Sequence, residues 1–254
     1  MNKIFRMDLH RLLHSKVLYV SIISLIVMAV GQILGGMSTT IEGLMGVVSG
    51  GNAGDEFMTS TMGAGVIYMF LSVIIAVFVC GDYSGGFAKN IFSVHSNPKE
   101  YIGGKMMSMA AASAFLLIFY TIVSVAALTV LGYSTMLPGG IFGLIVFLIE
   151  KWMVSCALAS VVLLVAYFTR NIAWTLFAGF LIATGGLTMG ISLFAQKFGL
   201  DWMETIFSVM ISGAAKICTM TFEPIIFLRV LLTCAIWIVA ACAFGRRVLL
   251  EKDI

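Results

Sequence analysis

The sequence predicts an all-α, polytopic membrane protein with six transmembrane helices, and three observations predict it. Hydrophobic residues make up 61% of the 254-residue chain and charged ones 11%, with a mean hydropathy of +1.08. Soluble domains carry about 25% charge. Six stretches reach the roughly 20 apolar residues needed to cross a bilayer. The basic residues are also unevenly spread. With the N-terminus inside, the inner segments hold eleven: Lys3, Arg6, Arg11, Lys16, Lys89, Lys99, Lys105, Arg170, Arg246, Arg247 and Lys252. The outer segments hold Lys197 and Lys216, and Lys151 and Arg229 lie in or near apolar runs. The positive-inside rule then puts both termini in the cytoplasm. Alternating apolar strands of about ten residues, the mark of an outer-membrane barrel, are absent. A net charge of +3 does not imply nucleic acid as a partner.

The N-terminal residues 1–16 read as an amphipathic helix lying in the membrane interface. Phe5, Leu9, Leu12 and Leu13 share one face, and Lys3, Arg6, His10 and Arg11 lie opposite. Span 1 covers 17–36. The apolar run after Lys16 stays uncharged through Ile41, longer than the about 7–15 residues of a signal-peptide core, so no cleaved signal is expected. The first outer loop, 37–60, carries Glu42, Asp55 and Glu56 and no basic residue. Span 2 covers 61–80.

The segment Gly81–Lys105 is the longest polar interruption in the chain. Phe87, Ile91 and Val94 fall on one helical face and Lys89 and Ser93 on another, with Ser84 as a possible N-cap. A second helix starts at Asn97-Pro98-Lys99-Glu100, with Asn at N-cap, Pro at N1 and Glu at N3. It runs through Lys105 into span 3, 106–131. The chain therefore predicts a short amphipathic helix across the cytoplasmic mouth, either lying on lipid headgroups or docking a cytoplasmic partner.

Span 4 is drawn at 141–169. At 1.5 Å per residue it would reach roughly 43 Å against a core of about 30 Å. Counting back from Arg170 puts Glu150, Lys151 and Trp152 at the outer interface, and the same arithmetic puts Arg229 there. Snorkelling to the headgroups is the expectation for these charges. Span 5 covers 171–195, with Gly185–Gly186 as a point where it could break. Residues 196–222 are expected to hold short outer helices, with Ile206, Val209 and Met210 at helical spacing in "WMETIFSVMISGA". Span 6 covers 224–244. Three small-x-x-x-small pairs, Gly31/Gly35, Gly139/Gly143 and Gly186/Gly190, read as ordinary helix packing. No repeat and no separable soluble domain appears, so 1–254 is one membrane domain.

Chemistry-bearing motifs are missing from the sequence. There is no H-E-x-x-H, G-x-S-x-G or strand-borne G-x-G-x-x-G. His10 and His14 at i, i+4 could bind a metal, but no third ligand accompanies them. "GGK" at Gly103–Lys105 is followed by Met106, and Lys99 stands where a P-loop needs its first glycine. Cys80, Cys156, Cys218, Cys234 and Cys242 lie in or beside apolar segments without a C-x-x-C, as membrane-embedded thiols do. An enzyme is not expected.

The chain resembles a type-2 ABC exporter permease, in particular the compact six-span permeases of bacteriocin-immunity and peptide-export systems. The matching residues are "GDYSGGFAKNIFS" at the exit of span 2, "PKEYIGGK" leading into span 3, and "FTRNIAW" between spans 4 and 5. The amphipathic N-terminus resembles the family's connecting helix, and 196–222 its outer re-entrant helices. The likeness spans the chain in architecture and is specific over Gly81–Lys105, where Lys99 departs from the family's usual arginine. It implies that the loop helix is a coupling helix docking on a P-loop ATPase, through Asp82, Gly85, Gly86, Phe87, Asn90, Ile91 and Lys105. It also implies ATP and magnesium bound by that partner and not by this chain, a second permease subunit, and a place in a bacterial plasma membrane. A secondary transporter or channel using Glu150, Lys151 and Arg229 is the alternative.

Overall fold

A computed structural model describes residues 2–47, 65–87, 98–130, 140–198, 209–218, 220 and 222–251. Its regular elements are all helices: α1 (Asn2–Leu13), α2 (Lys16–Val47), α3 (Val66–Ser84), α4 (Pro98–Val130), α5 (Gly140–Thr169), α6 (Ile172–Ala183), α7 (Gly186–Phe198), α8 (Ile211–Ile217) and α9 (Pro224–Glu251). Four stretches are long and apolar enough to cross a membrane: Val66–Ser84, Lys99–Ala127, Gly140–Thr169 and Pro224–Leu250. Two further pairs qualify only together, α1 with the start of α2, bent by 55°, and α6 with α7, bent by 63°. The chain is thus an all-helical protein with four to six candidate membrane spans.

α5 is the hub. It packs on α3, α4, α6, α8 and α9. Small side chains on it, Ser155, Ala157, Ala159, Ser160 and Ala166, are buried and let its neighbours approach closely. Outward-facing positions such as Ile118 on α4 and Val239 on α9 are apolar as well, as a lipid-facing surface requires. A span that is apolar all round shows little amphipathic pattern, so its buried face is set by partners.

The break in span 5 has a local cause. The amide of Thr184 bonds the Phe180 carbonyl and that of Gly185 bonds Ile182, closing α6. Gly185 then takes φ +70, a left-handed value that glycine adopts without strain. Across this junction Gly65 at the start of α3 touches the end of α6: a Cβ there would sit 2.3 Å from the Ala183 carbonyl oxygen. The expected Gly31/Gly35 and Gly186/Gly190 packing is different. Among the described residues, a Cβ at Gly31 or Gly190 would meet nothing within 4 Å, so neither glycine is a close-packing point against those residues.

One further expectation shifts. Ser84 does not cap a new helix; it is the last residue of α3, and its hydroxyl donates to the Gly81 carbonyl. Met210 is extended and precedes α8, while Ile206, the first residue of the expected helical pattern, lies outside the described residues. Pro98 opens α4 and the helix runs unbroken into the span, as expected.

Candidate functional site

At one end of the bundle, four charged side chains meet. The buried face of α1 is Ile4, Asp8 and Leu12, one turn apart, and it packs on α4. Gly104 makes the approach possible: a Cβ there would lie 2.8 Å from Ile4 Cγ2. This docking sets Asp8 over Lys105. Lys105 Nζ donates to Asp8 Oδ1 at 3.1 Å and to Asp82 Oδ2, which comes from the last turn of α3. Arg11 closes the ring, donating to Asp82 Oδ1 at 2.7 Å with its other nitrogen 3.6 Å from Asp8. Asp8 and Lys105 are fully buried and Asp82 nearly so, while Arg11 reaches the surface.

Two acids and two bases make the cluster neutral, which is the condition for holding charge out of water. Aromatic rings complete the enclosure. Phe78 lies under both Lys105 (4.4 Å) and Arg11 (5.0 Å), and Phe87 lies 3.9 Å from the Arg11 guanidinium. Burial pushes the Asp8 carboxyl above its ordinary range, while the charge and hydrogen bond of Lys105 pull it back down.

Next to the cluster, Tyr83, Tyr101 and Tyr167 pack with ring centroids 6.1–6.5 Å apart, tying α3, α4 and α5 together. Arg170 lies over the Tyr83 ring at 5.1 Å. It sits at φ 51, where the chain leaves α5, and Asn171 Oδ1 accepts from the Ala173 amide to start α6. The "FTRNIAW" turn is therefore a left-handed residue followed by an N-cap.

The residues carried over as docking groups divide. Asp82 and Lys105 have their side chains closed inside the chain, so neither presents a charge to a partner. Gly85 and Gly86 form the exit of α3, with Gly86 at φ +70. Phe87 is half-buried beneath Arg11 and is not a free knob. Asn90 and Ile91 lie outside the described residues. Sequence reasoning missed Asp8 and set Arg11 on the solvent side. One acid within a basic amphipathic helix was the available signal.

Near the opposite end, Glu150 and Lys151 lie about 24 Å along α5 from Tyr167. Snorkelling is not what they do: each is 2% exposed, and Lys151 Nζ donates to the Ala215 carbonyl of α8 at 2.7 Å. The short helix α8 gives the ammonium a partner, so it has no need to reach water. Arg229 is exposed, while its neighbour Val230 is buried. The structure does not gather all three charges. His14 Nδ1 pairs with the His10 carbonyl at 2.9 Å within α1, and no group suited to a metal ion occurs among the described residues. Compared with known proteins, the chain matches no protein-family model and no curated relative.

Proposed function

We propose that this chain is the six-span membrane subunit of an ATP-driven exporter, with residues 81–105 as the coupling element for a separate cytoplasmic ATPase and an amphipathic or hydrophobic substrate. The observation that supports this most is the ion cluster. It ties both ends of that loop, Asp82 and Lys105, to the N-terminal helix through Asp8 and Arg11. A loop resting on headgroups has no use for a braced base, whereas a loop that must transmit force to the spans does. In this reading Asp82, Lys105 and Phe87 position the loop, Gly85 and Gly86 let it turn, and Asn90 and Ile91 meet the partner.

The test is copurification of the ATPase with tagged permease carrying Ile91→Glu, together with ATP hydrolysis by the complex. Burying an unpaired carboxylate in a protein groove is costly, so loss of the partner is expected while the chain remains inserted. Full retention of both would place the loop on lipid. The orientation is tested separately, with single cysteines at positions 49 and 96 in a cysteine-free background. An impermeant thiol reagent on intact cells should label 49 and not 96, and the reverse would overturn the proposed inner side.

A further inference from the structure

Two cavities lie side by side at the break between α6 and α7, sharing Ile182, Gly185, Ile211 and Ser212 in their walls. The first, about 90 Å³, is polar: Tyr68, Thr184, Ser212 and Lys216 contribute to it. The second, about 150 Å³, is lined by Leu181, Leu187, Ile191, Met210 and Trp237. The hydroxyl pair Thr188–Ser212, 3.0 Å apart, ties α7 to α8 beside the junction. Tyr68 is 5% exposed, and its hydroxyl has no hydrogen-bond partner among the described residues. A buried hydroxyl left without a partner is disfavoured. Among the described residues, Lys216 is the one charged side chain in the wall of the polar cavity. Behind it, Lys151 bonds Ala215, which also lines that cavity, and Glu150 balances the Lys151 charge, so Lys216 sets the sign.

From these features we propose that the α6–α7 break binds the anionic head of an amphiphile in the polar cavity and the first part of its tail in the apolar one. The sign of the head follows from Lys216 and the hydroxyl donors around it, which match a phosphate or carboxylate. The two-part character follows from the adjacent walls. Both cavities are smaller than the about 300–1,000 Å³ of sites for whole drug-sized ligands, so they take a head and a few methylenes while the remaining tail lies in lipid. The site stands on its own chemistry, and no ATPase is needed to test it.

The full chain in uncharged maltoside micelles is titrated with dodecyl phosphate. The readout is Trp237 fluorescence in a background with Trp152, Trp174 and Trp202 changed to Phe. Saturable binding is expected. Lys216→Gln should weaken it about tenfold, the scale of one charge-assisted hydrogen bond, and Tyr68→Phe should weaken it about threefold. Lys216→Arg should retain it, which guards against a misfolded variant, and dodecyltrimethylammonium should not compete. Equal affinity in Lys216→Gln, or equal competition by the cation, would overturn the proposal. Mass spectrometry of chain taken from membranes containing phosphatidylglycerol distinguishes the sources. A retained lipid lost in Lys216→Gln identifies a membrane headgroup. Lipid-free protein that still binds dodecyl phosphate through Lys216 identifies a soluble amphiphile.

Discussion

Lys105 and Lys151 are both withdrawn from solvent, at 0% and 2% exposure, yet their partners differ in kind. Lys105 sits between two carboxylates contributed by α1 and α3, and Arg11 balances the second acid. Lys151 donates to a backbone carbonyl on a seven-residue helix, with Glu150 as its neighbour in sequence. The first arrangement is a closed, neutral network that ties three helices. The second is a hydrogen bond to one carbonyl beside a polar cavity, with the ammonium also 5.2 Å from the Phe147 ring. The comparison teaches where rigidity and adaptability lie: one end is braced against water, and the other keeps room for something to bind.

The sharpest way to break the comparison is to remove each ammonium in turn. Lys105→Met leaves two buried carboxylates sharing Arg11, and a loss of about 3–5 kcal/mol is expected. Adding Asp8→Asn should recover part of that loss, because the neutral Asp82–Arg11 pair remains. Lys151→Met removes one charged hydrogen bond and should cost about 2 kcal/mol. Thermal unfolding in micelles, followed by circular dichroism, ranks the three. Equal losses at the two lysines would show that the two ends do not differ.

Close packing offers the second contrast. Gly65→Ala drives a methyl into the Ala183 carbonyl, a backbone atom that moves only if α3 and α6 part, and should cost about 2 kcal/mol. Gly104→Ala meets Ile4 Cγ2 at 2.8 Å and Ile4 Cβ at 3.2 Å, side-chain atoms that move with a small shift of α1, and should cost about 1 kcal/mol. The same melts test the pair, and the reverse order would mean that α1 is held more rigidly than the break.

The smallest effect sharpens the ion-cluster end alone. Burial raises the Asp8 carboxyl above 3.8 in the folded chain, so the folded state takes up its proton first. Acidification through the folded value, down to 3.8, should therefore stabilise the wild type relative to Asp8→Asn. The difference in melting temperature, measured across that window, should rise as the pH falls, and a fall would refute the direction assigned to Asp8.

Element by element, the helices were readable because their signals are local. Pro98 at N1 began α4 where expected, and the apolar runs marked the membrane-length helices. The glycine pair in span 5 signalled the break that Gly185 makes. For Lys105 and Asp82 the sequence supplied position but not direction. Both were read as facing a partner, and both turn inward, because an acid on a distant helix, Asp8, completes their charge balance. Glu150 and Lys151 were expected to snorkel, and both are buried instead, because α8 supplies a carbonyl for Lys151.

The sequence by itself determined membrane residence and helix positions, since hydropathy and breakers act along the chain. Only the tertiary structure decided which charges face inward and which cavities form. A span that is apolar on every side carries no pattern naming its buried face, and a buried ion's cost depends on partners brought from elsewhere in the chain.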